Sequence, residues 1–91
     1  MNMEPAEIRG ALLVWLYERS RVSDLPQSET AMLNGLRREG TAVALPDIRE
    51  AVDFLTDKNF IVVVKPPLGG GRGAWMWRIT AEGKTAREGM P

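Results

Sequence analysis

Few side chains in this sequence could perform chemistry on their own. The chain has no cysteine and no histidine, which excludes thiol nucleophiles, imidazole bases and zinc sites of the Cys/His type. Carboxylates recur three and four residues apart at Glu50, Asp53 and Asp57, so they share one face of a predicted helix. No pocket is predicted around them, and we interpret them as a solvated face. We therefore expect no enzymatic activity, no metal site and no cofactor.

A glycine-rich segment, residues 69–73, surrounds Arg72. It lacks a following Lys-Ser or Lys-Thr and lies between two predicted strands, so it does not predict a phosphate-binding loop. Arg72 in such a loop has the reach to enter a groove of DNA, with Lys65 and Arg78 on the flanking strands. The alternative is a flexible loop whose arginine only keeps it soluble.

Charge is unevenly distributed along the chain, although the net charge is zero. Residues 65–91 contain five basic and two acidic side chains, whereas residues 44–59 contain two basic and four acidic ones. The sequence therefore predicts an acidic centre and a basic C-terminal third.

The elements that position these residues belong to one domain, residues 1–91, because the chain is too short for two. Apolar periodicity predicts a first helix over residues 5–19, a second from Pro26 or Gln27 to Glu39, and a third that opens at Ala44. Glycine inside the second helix, at position 35, predicts close approach of a neighbouring helix.

The remaining sequence predicts two strands and a short helix. Residues 60–65 are β-branched and too short for a helix, and residues 74–79 return after a loop. Thr80 is expected to cap a short final helix. The predicted core consists of Ile8, Leu12, Trp15, Leu16, Leu33, Leu36, Ile48, Val52, Leu55, Ile61, Val63, Trp77 and Ile79.

This order of elements predicts an α+β fold, mainly α, in which a three-helix core carries a two-stranded β-hairpin. Residues 45–61, LPDIREAVDFLTDKNFI, resemble the third helix and first wing strand of a winged-helix domain. Residues 77–83, WRITAEG, resemble its second wing strand and the turn that ends it. The whole chain is similar to small winged-helix proteins of Mu-like phages and prophages, and distantly to ArsR-class regulators. The resemblance implies a winged helix-turn-helix fold and a link to DNA, without the Cys or His ligands of ArsR-type metal sensors.

In DNA-binding winged helices the third helix enters the major groove. Its predicted outer face here is Pro46, Arg49, Glu50 and Asp53, and such an acidic face is repelled by phosphates. Binding to double-stranded DNA is therefore expected to be weak and carried by the wing, through Lys65, Arg72 and Arg78. The alternative is a protein-interaction module that meets a phage or host protein through the acidic third helix or the apolar first helix.

The first helix is apolar around most of its circumference, which favours self-association. We expect a homodimer with Leu13 and Tyr17 as the contacts, the same patch meeting itself across a two-fold axis. No apolar run approaches the length of about 20 residues that a membrane helix needs, and no basic segment opens the sequence. We therefore expect a cytoplasmic protein that does not contact membranes.

Overall fold

The computed structural model describes residues 3–91, and within them the fold is α+β and mainly helical, as predicted. The elements in chain order are α1 (Pro5–Val22), β1 (Gln27–Ser28), α2 (Glu29–Arg38), α3 (Leu45–Asp57), β2 (Ile61–Val64), a 3-10 turn (Arg72–Ala74), β3 (Met76–Ile79) and α4 (Ala81–Glu88). No helix of the described residues is long and apolar enough to cross a bilayer.

The sheet has three antiparallel strands in the order β1-β3-β2, so it contains the predicted hairpin of β2 and β3 and one strand more than was predicted. The extra strand is β1, in which Gln27 lies opposite Trp77 and Ser28 opposite Met76. Its two polar residues were predicted to begin the second helix. Instead the Ser28 hydroxyl accepts a hydrogen bond from the backbone N–H of Ala31 at 3.1 Å, so α2 begins at Glu29 with Ser28 as its N-cap.

The β2–β3 hairpin presents two different faces. Ile61, Trp77 and Ile79 point into the core, while Val62 and Met76 lie on the outer, exposed face. Exposed and buried residues therefore alternate along β3.

Helix α1 is the centre of the domain and packs against α2, α3, α4 and β3. The predicted core is confirmed except at Leu33 and Val63, which are partly buried against it. The buried apolar residues that form the observed core are Ile8, Leu12, Leu13, Trp15, Leu16, Met32, Leu36, Val43, Ile48, Ala51, Val52, Leu55, Ile61, Trp77 and Ile79.

Leu13, one of the two residues predicted to contact a second copy, is only 4% exposed within the single chain. Tyr17, one turn further along α1, is half-buried and donates a hydrogen bond to Glu88 at 3.0 Å. Helix α4 therefore packs on the side of α1 that was expected to face a partner. Because α4 contains few apolar residues, its sequence does not predict this packing.

The close approach predicted at Gly35 is confirmed. A side chain there would overlap the indole of Trp15, because α1 and α2 cross at this point. Gly40 and Asn59, which follow α2 and α3, have φ values of 87° and 62°, so both adopt the left-handed conformation that ends a helix. Thr80 caps α4 as predicted, accepting a hydrogen bond from the N–H of Gly83 at 3.0 Å.

Candidate functional site

Arg72 lies in the 3-10 turn between β2 and β3, and its side chain turns back onto the helices. Its Nε donates to both carboxylate oxygens of Glu29, at 3.1 and 3.0 Å, and its Nη2 donates to Glu29 Oε2 at 2.8 Å. The same Nη2 lies 2.9 Å from Oδ1 of Asp53 on α3. The arginine that was expected to point into solvent is therefore held between α2 and α3.

Glu29 is the main hydrogen-bonding partner of Arg72, and the sequence did not predict this pair. It is the first residue of α2 and only 4% exposed, and it also lies 3.5 Å from Nε of Arg49. A buried carboxylate needs charged partners, and the positive end of the α2 dipole favours its charge as well. The only signal in the sequence is an acidic residue directly after a capping serine.

The ion pairs change the titration of Arg72. Its hydrogen bonds to Glu29 raise the pKa of the guanidinium above its ordinary value, and Asp53 adds to this, while burial opposes them. The guanidinium therefore stays charged throughout the ordinary pH range.

Two tryptophans of the β3 region lie beside this cluster. The Cζ of Arg72 is 5.5 Å from the ring centroid of Trp77 and 6.0 Å from that of Trp75. Lys65, at the end of β2, places its Nζ 4.4 Å from the Trp75 centroid. These distances are those of cation–π contacts. Trp77 is buried and Trp75 is half-buried, so Trp75 lies at the boundary between the core and the surface.

The three basic residues predicted to contact DNA do not form one surface. Lys65 and Arg72 lie on the side of the tryptophans, whereas Arg78 alternates with Trp77 and lies on the opposite, exposed face of the sheet. The structure brings two of the three together and separates the third.

The predicted outer face of α3 is exposed at all four positions, Pro46, Arg49, Glu50 and Asp53. Its carboxylates are nevertheless paired. Nε of Arg9, on α1, donates to both oxygens of Glu50 at 3.0 and 3.2 Å, and its Nη2 also contacts that carboxylate. These bonds raise the pKa of Arg9 above its ordinary value.

The guanidinium of Arg9 also lies over the ring of Phe54, 4.0 Å from its centroid. Since Asp53 is paired with Arg72, both Glu50 and Asp53 have a cationic partner from another element, whereas Asp57 forms no ion pair among the described residues. The part of the face at Glu50 and Asp53 is charge-compensated and is less acidic than the sequence predicts.

The tip of the hairpin is apolar. Leu68 is fully exposed there, between Pro66 and the turn glycines Gly69 and Gly70, which have φ values of 80° and 124°. Among residues 3–91, no three acidic side chains come close enough together to hold a metal ion. This region offers an exposed leucine in the same loop whose Arg72 pairs with Glu29 and Asp53.

Comparison with known proteins finds no family model, no curated protein and no solved structure that matches the chain.

Proposed function

We propose that this chain is a winged-helix module that binds a protein partner through the tip of its wing and the outer face of α3, without enzymatic activity. The order α1, α2, α3, β2, β3 agrees with the winged-helix arrangement that the sequence resemblance implies. In that arrangement α2 and α3 form the helix-turn-helix, and the segment from β2 to β3 is the wing. The same resemblance favours a phage or host protein as the partner, in the bacterial cytoplasm.

One observation carries this proposal, namely the pairing of Arg72 with Glu29 and Asp53. Attraction to DNA depends on cations that are free to neutralise phosphates. Moving Arg72 to a phosphate would leave Glu29 buried without its main partner, which costs free energy. Arg72, the cation best placed to enter a DNA groove, is therefore already ion-paired within the fold.

The exposed leucine supports a protein partner. Leu68 lies in the segment between β2 and β3, and nothing in the described residues covers it. Protein interfaces contain a central apolar contact surrounded by polar groups. Leu68 can supply the apolar contact and the exposed charged side chains of α3 the polar groups, whereas a DNA-binding tip needs a cation.

The experiment is an affinity purification from nuclease-treated lysate of the cells that encode the protein. Wild type is compared with Leu68→Asp and with Leu25→Asp, a matched control because Leu25 is 71% exposed in the segment between α1 and β1. We expect the same protein to be recovered with wild type and Leu25→Asp and to be lost with Leu68→Asp. Recovery that both variants leave unchanged, or that nuclease abolishes, contradicts the proposal.

Double-stranded DNA is the second candidate ligand, and a specific observation favours it. The pairing of Glu50 with Arg9 and of Asp53 with Arg72 weakens the repulsion expected between α3 and phosphates. Arg49 stays largely exposed on that face. DNA could then approach α3 with Lys65 as an additional contact.

Fluorescence anisotropy with a labelled duplex at low salt tests this candidate. If DNA is the ligand, binding occurs at protein concentrations of about 1–100 µM, and Lys65→Ala lowers the salt slope by about 0.9. Lys84→Ala on α4 is the matched control and leaves the slope unchanged. Absence of binding in this range removes DNA and leaves the protein partner.

A further inference from the structure

The segment between β2 and β3, residues 65–75, is held by contacts within itself. At its base the Nζ of Lys65 lies 4.4 Å from the ring centroid of Trp75, so the first and last residues of the segment are in contact. At its tip the N–H of Gly69 donates to the carbonyl of Pro66 at 3.1 Å and closes a turn. Base and tip are therefore both closed, although the sequence of the segment is rich in glycine.

A second turn lies between the tip and the helices. The N–H of Ala74 donates to the carbonyl of Gly71 at 3.0 Å. A Cβ at Gly70 would lie 3.7 Å from that of Ala74, so the backbone of Gly70 packs against this turn. Arg72, within the turn, is hydrogen-bonded to Glu29. Because glycine loses more conformational freedom on folding than any other residue, the order of this segment depends on these contacts.

The turn at the tip determines how Leu68 is presented. Its four residues are Pro66, Pro67, Leu68 and Gly69, and proline at the second position with glycine at the fourth favours a type I turn. Types II, I′ and II′ require a positive φ at one of the two inner positions, and among the described residues other than glycine only Asn59 has one. The ring of Pro67 fixes its own φ, so the backbone that precedes the fully exposed Leu68 has little freedom.

We propose that residues 65–75 form a binding element that is ordered before the partner arrives, in which Pro67 and Arg72 are the positioning residues of Leu68. The inference rests on the proposed function for the partner, and it adds how the contact is made. A loop that is already ordered loses less conformational entropy on binding than a flexible loop does. The same apolar side chain therefore binds more tightly from this segment than from a flexible one.

The composition of the segment indicates the surface that it fits. Apart from proline, Leu68 is the only large apolar side chain between Lys65 and Trp75. A single apolar side chain that is fully exposed at a tip fits a concave surface, and anchor residues of interfaces occupy well-packed pockets on the other protein. The partner is thus a protein with an apolar pocket of the size of a leucine side chain.

The two positioning residues act at different places. Pro67 restricts the turn itself, whereas Arg72 attaches the second turn to α2 through Glu29 and to α3 through Asp53. Replacing Pro67 frees the tip and leaves the attachment to the helices unchanged. Replacing Arg72 frees the second turn, while the hydrogen bond that closes the tip stays in place.

Backbone order parameters from nitrogen-15 relaxation test this on the protein alone. For wild type we expect values near about 0.85 from Leu68 to Trp75, which are those of rigid backbone. Pro67→Gly is expected to lower the values of Leu68 and Gly69, and Arg72→Ala those from Gly70 to Ala74. Arg72→Lys keeps the charge without the paired hydrogen bonds, and we expect it to lower the same values if Arg72→Ala does not fold.

Arg78→Ala is the matched control for the loss of an arginine. Arg78 is exposed and forms no ion pair within residues 3–91, so its replacement is expected to leave every order parameter of the segment unchanged. Circular dichroism verifies that each variant is folded. A wild type with values below about 0.6 at Leu68, or Pro67→Gly and Arg72→Ala variants as ordered as wild type, overturns the inference.

Calorimetric titration with the protein that wild type recovers measures the effect on binding. Leu68→Ala is expected to weaken binding at least about tenfold, and Pro67→Gly, which keeps Leu68, about two- to tenfold through a less favourable entropy. Pro67→Gly that binds as tightly as wild type overturns this inference and leaves the proposed function intact. Recovery of no protein contradicts the proposed function, whereas the relaxation data still decide whether the segment is ordered. Self-association that Leu68→Asp abolishes would assign the contact to a second copy and overturn the inference.

Discussion

The carboxylate of Glu29 and the guanidinium of Arg72 form a hydrogen-bonded pair across 43 residues of sequence. Glu29 opens α2 and is buried, whereas Arg72 lies on the segment that joins β2 to β3. Through this contact, and through a further hydrogen bond from Arg72 to Asp53, the segment packs against α2 and α3. The contact explains how a loop with four glycines around one arginine keeps a defined position.

The crossing of α1 and α2 depends on the missing side chain of Gly35. We expect Gly35→Ala to destabilise the fold by about 1–3 kcal/mol, because its methyl group would displace the indole of Trp15 from a packed core. Gly73→Ala is the control, since a Cβ at that position meets no atom within 4 Å. Urea unfolding followed by tryptophan fluorescence gives both values, and equal stability of the two variants would contradict the crossing.

Leu55 tests the orientation of α3. It is 2% exposed, and Leu55→Ala is expected to cost about 2–5 kcal/mol through lost burial and a residual cavity. Leu68→Ala removes the same atoms from a fully exposed site and is expected to change stability by less than about 0.5 kcal/mol. Thermal unfolding compares the two. A Leu55→Ala variant as stable as wild type would mean that α3 presents a different face to the core.

Tyr17 is the only tyrosine of the chain, which makes its titration directly observable. Its hydrogen bond to Glu88, together with burial, raises the pKa of the phenol above its ordinary value of 10.0. Because the folded pKa is the higher one, the stability from this bond is fully present below about pH 10 and is lost as the pH rises through the raised pKa. Glu88→Ala is expected to lower the pKa measured by phenolate absorbance, whereas Glu82→Ala, which does not contact Tyr17, is not.

Much of the fold could be predicted because local signals dominate it. Apolar periodicity located α1 and α3, positive-φ residues marked the ends of α2 and α3, and β-branched residues marked β2. Strand β1 could not be found in this way, because two polar residues carry no alternation. Burial of Leu13 was also beyond local signals, since it depends on α4 folding back onto α1.

The candidate site was predicted less well than the fold, and the reason is electrostatic. Lys65, Glu50 and Asp53 are exposed, whereas Arg72 is half-buried. A count of charges along the sequence cannot show which of them neutralise each other. Glu50 is paired with Arg9, which is 41 residues away. Such long-range pairs follow only from the tertiary structure, and here they compensate part of the expected acidic face.

The coupling free energy between Arg72 and Glu29 tests the central claim, that Arg72 is already ion-paired within the fold. It is obtained from urea unfolding of wild type, Arg72→Ala, Glu29→Gln and the double variant. We expect a coupling of about 1.5–3 kcal/mol, the range for hydrogen bonds to charged groups. A coupling below about 0.5 kcal/mol would mean that the two changes act independently. Arg72 would then be free for an external ligand, and the account given for the segment between β2 and β3 would be wrong.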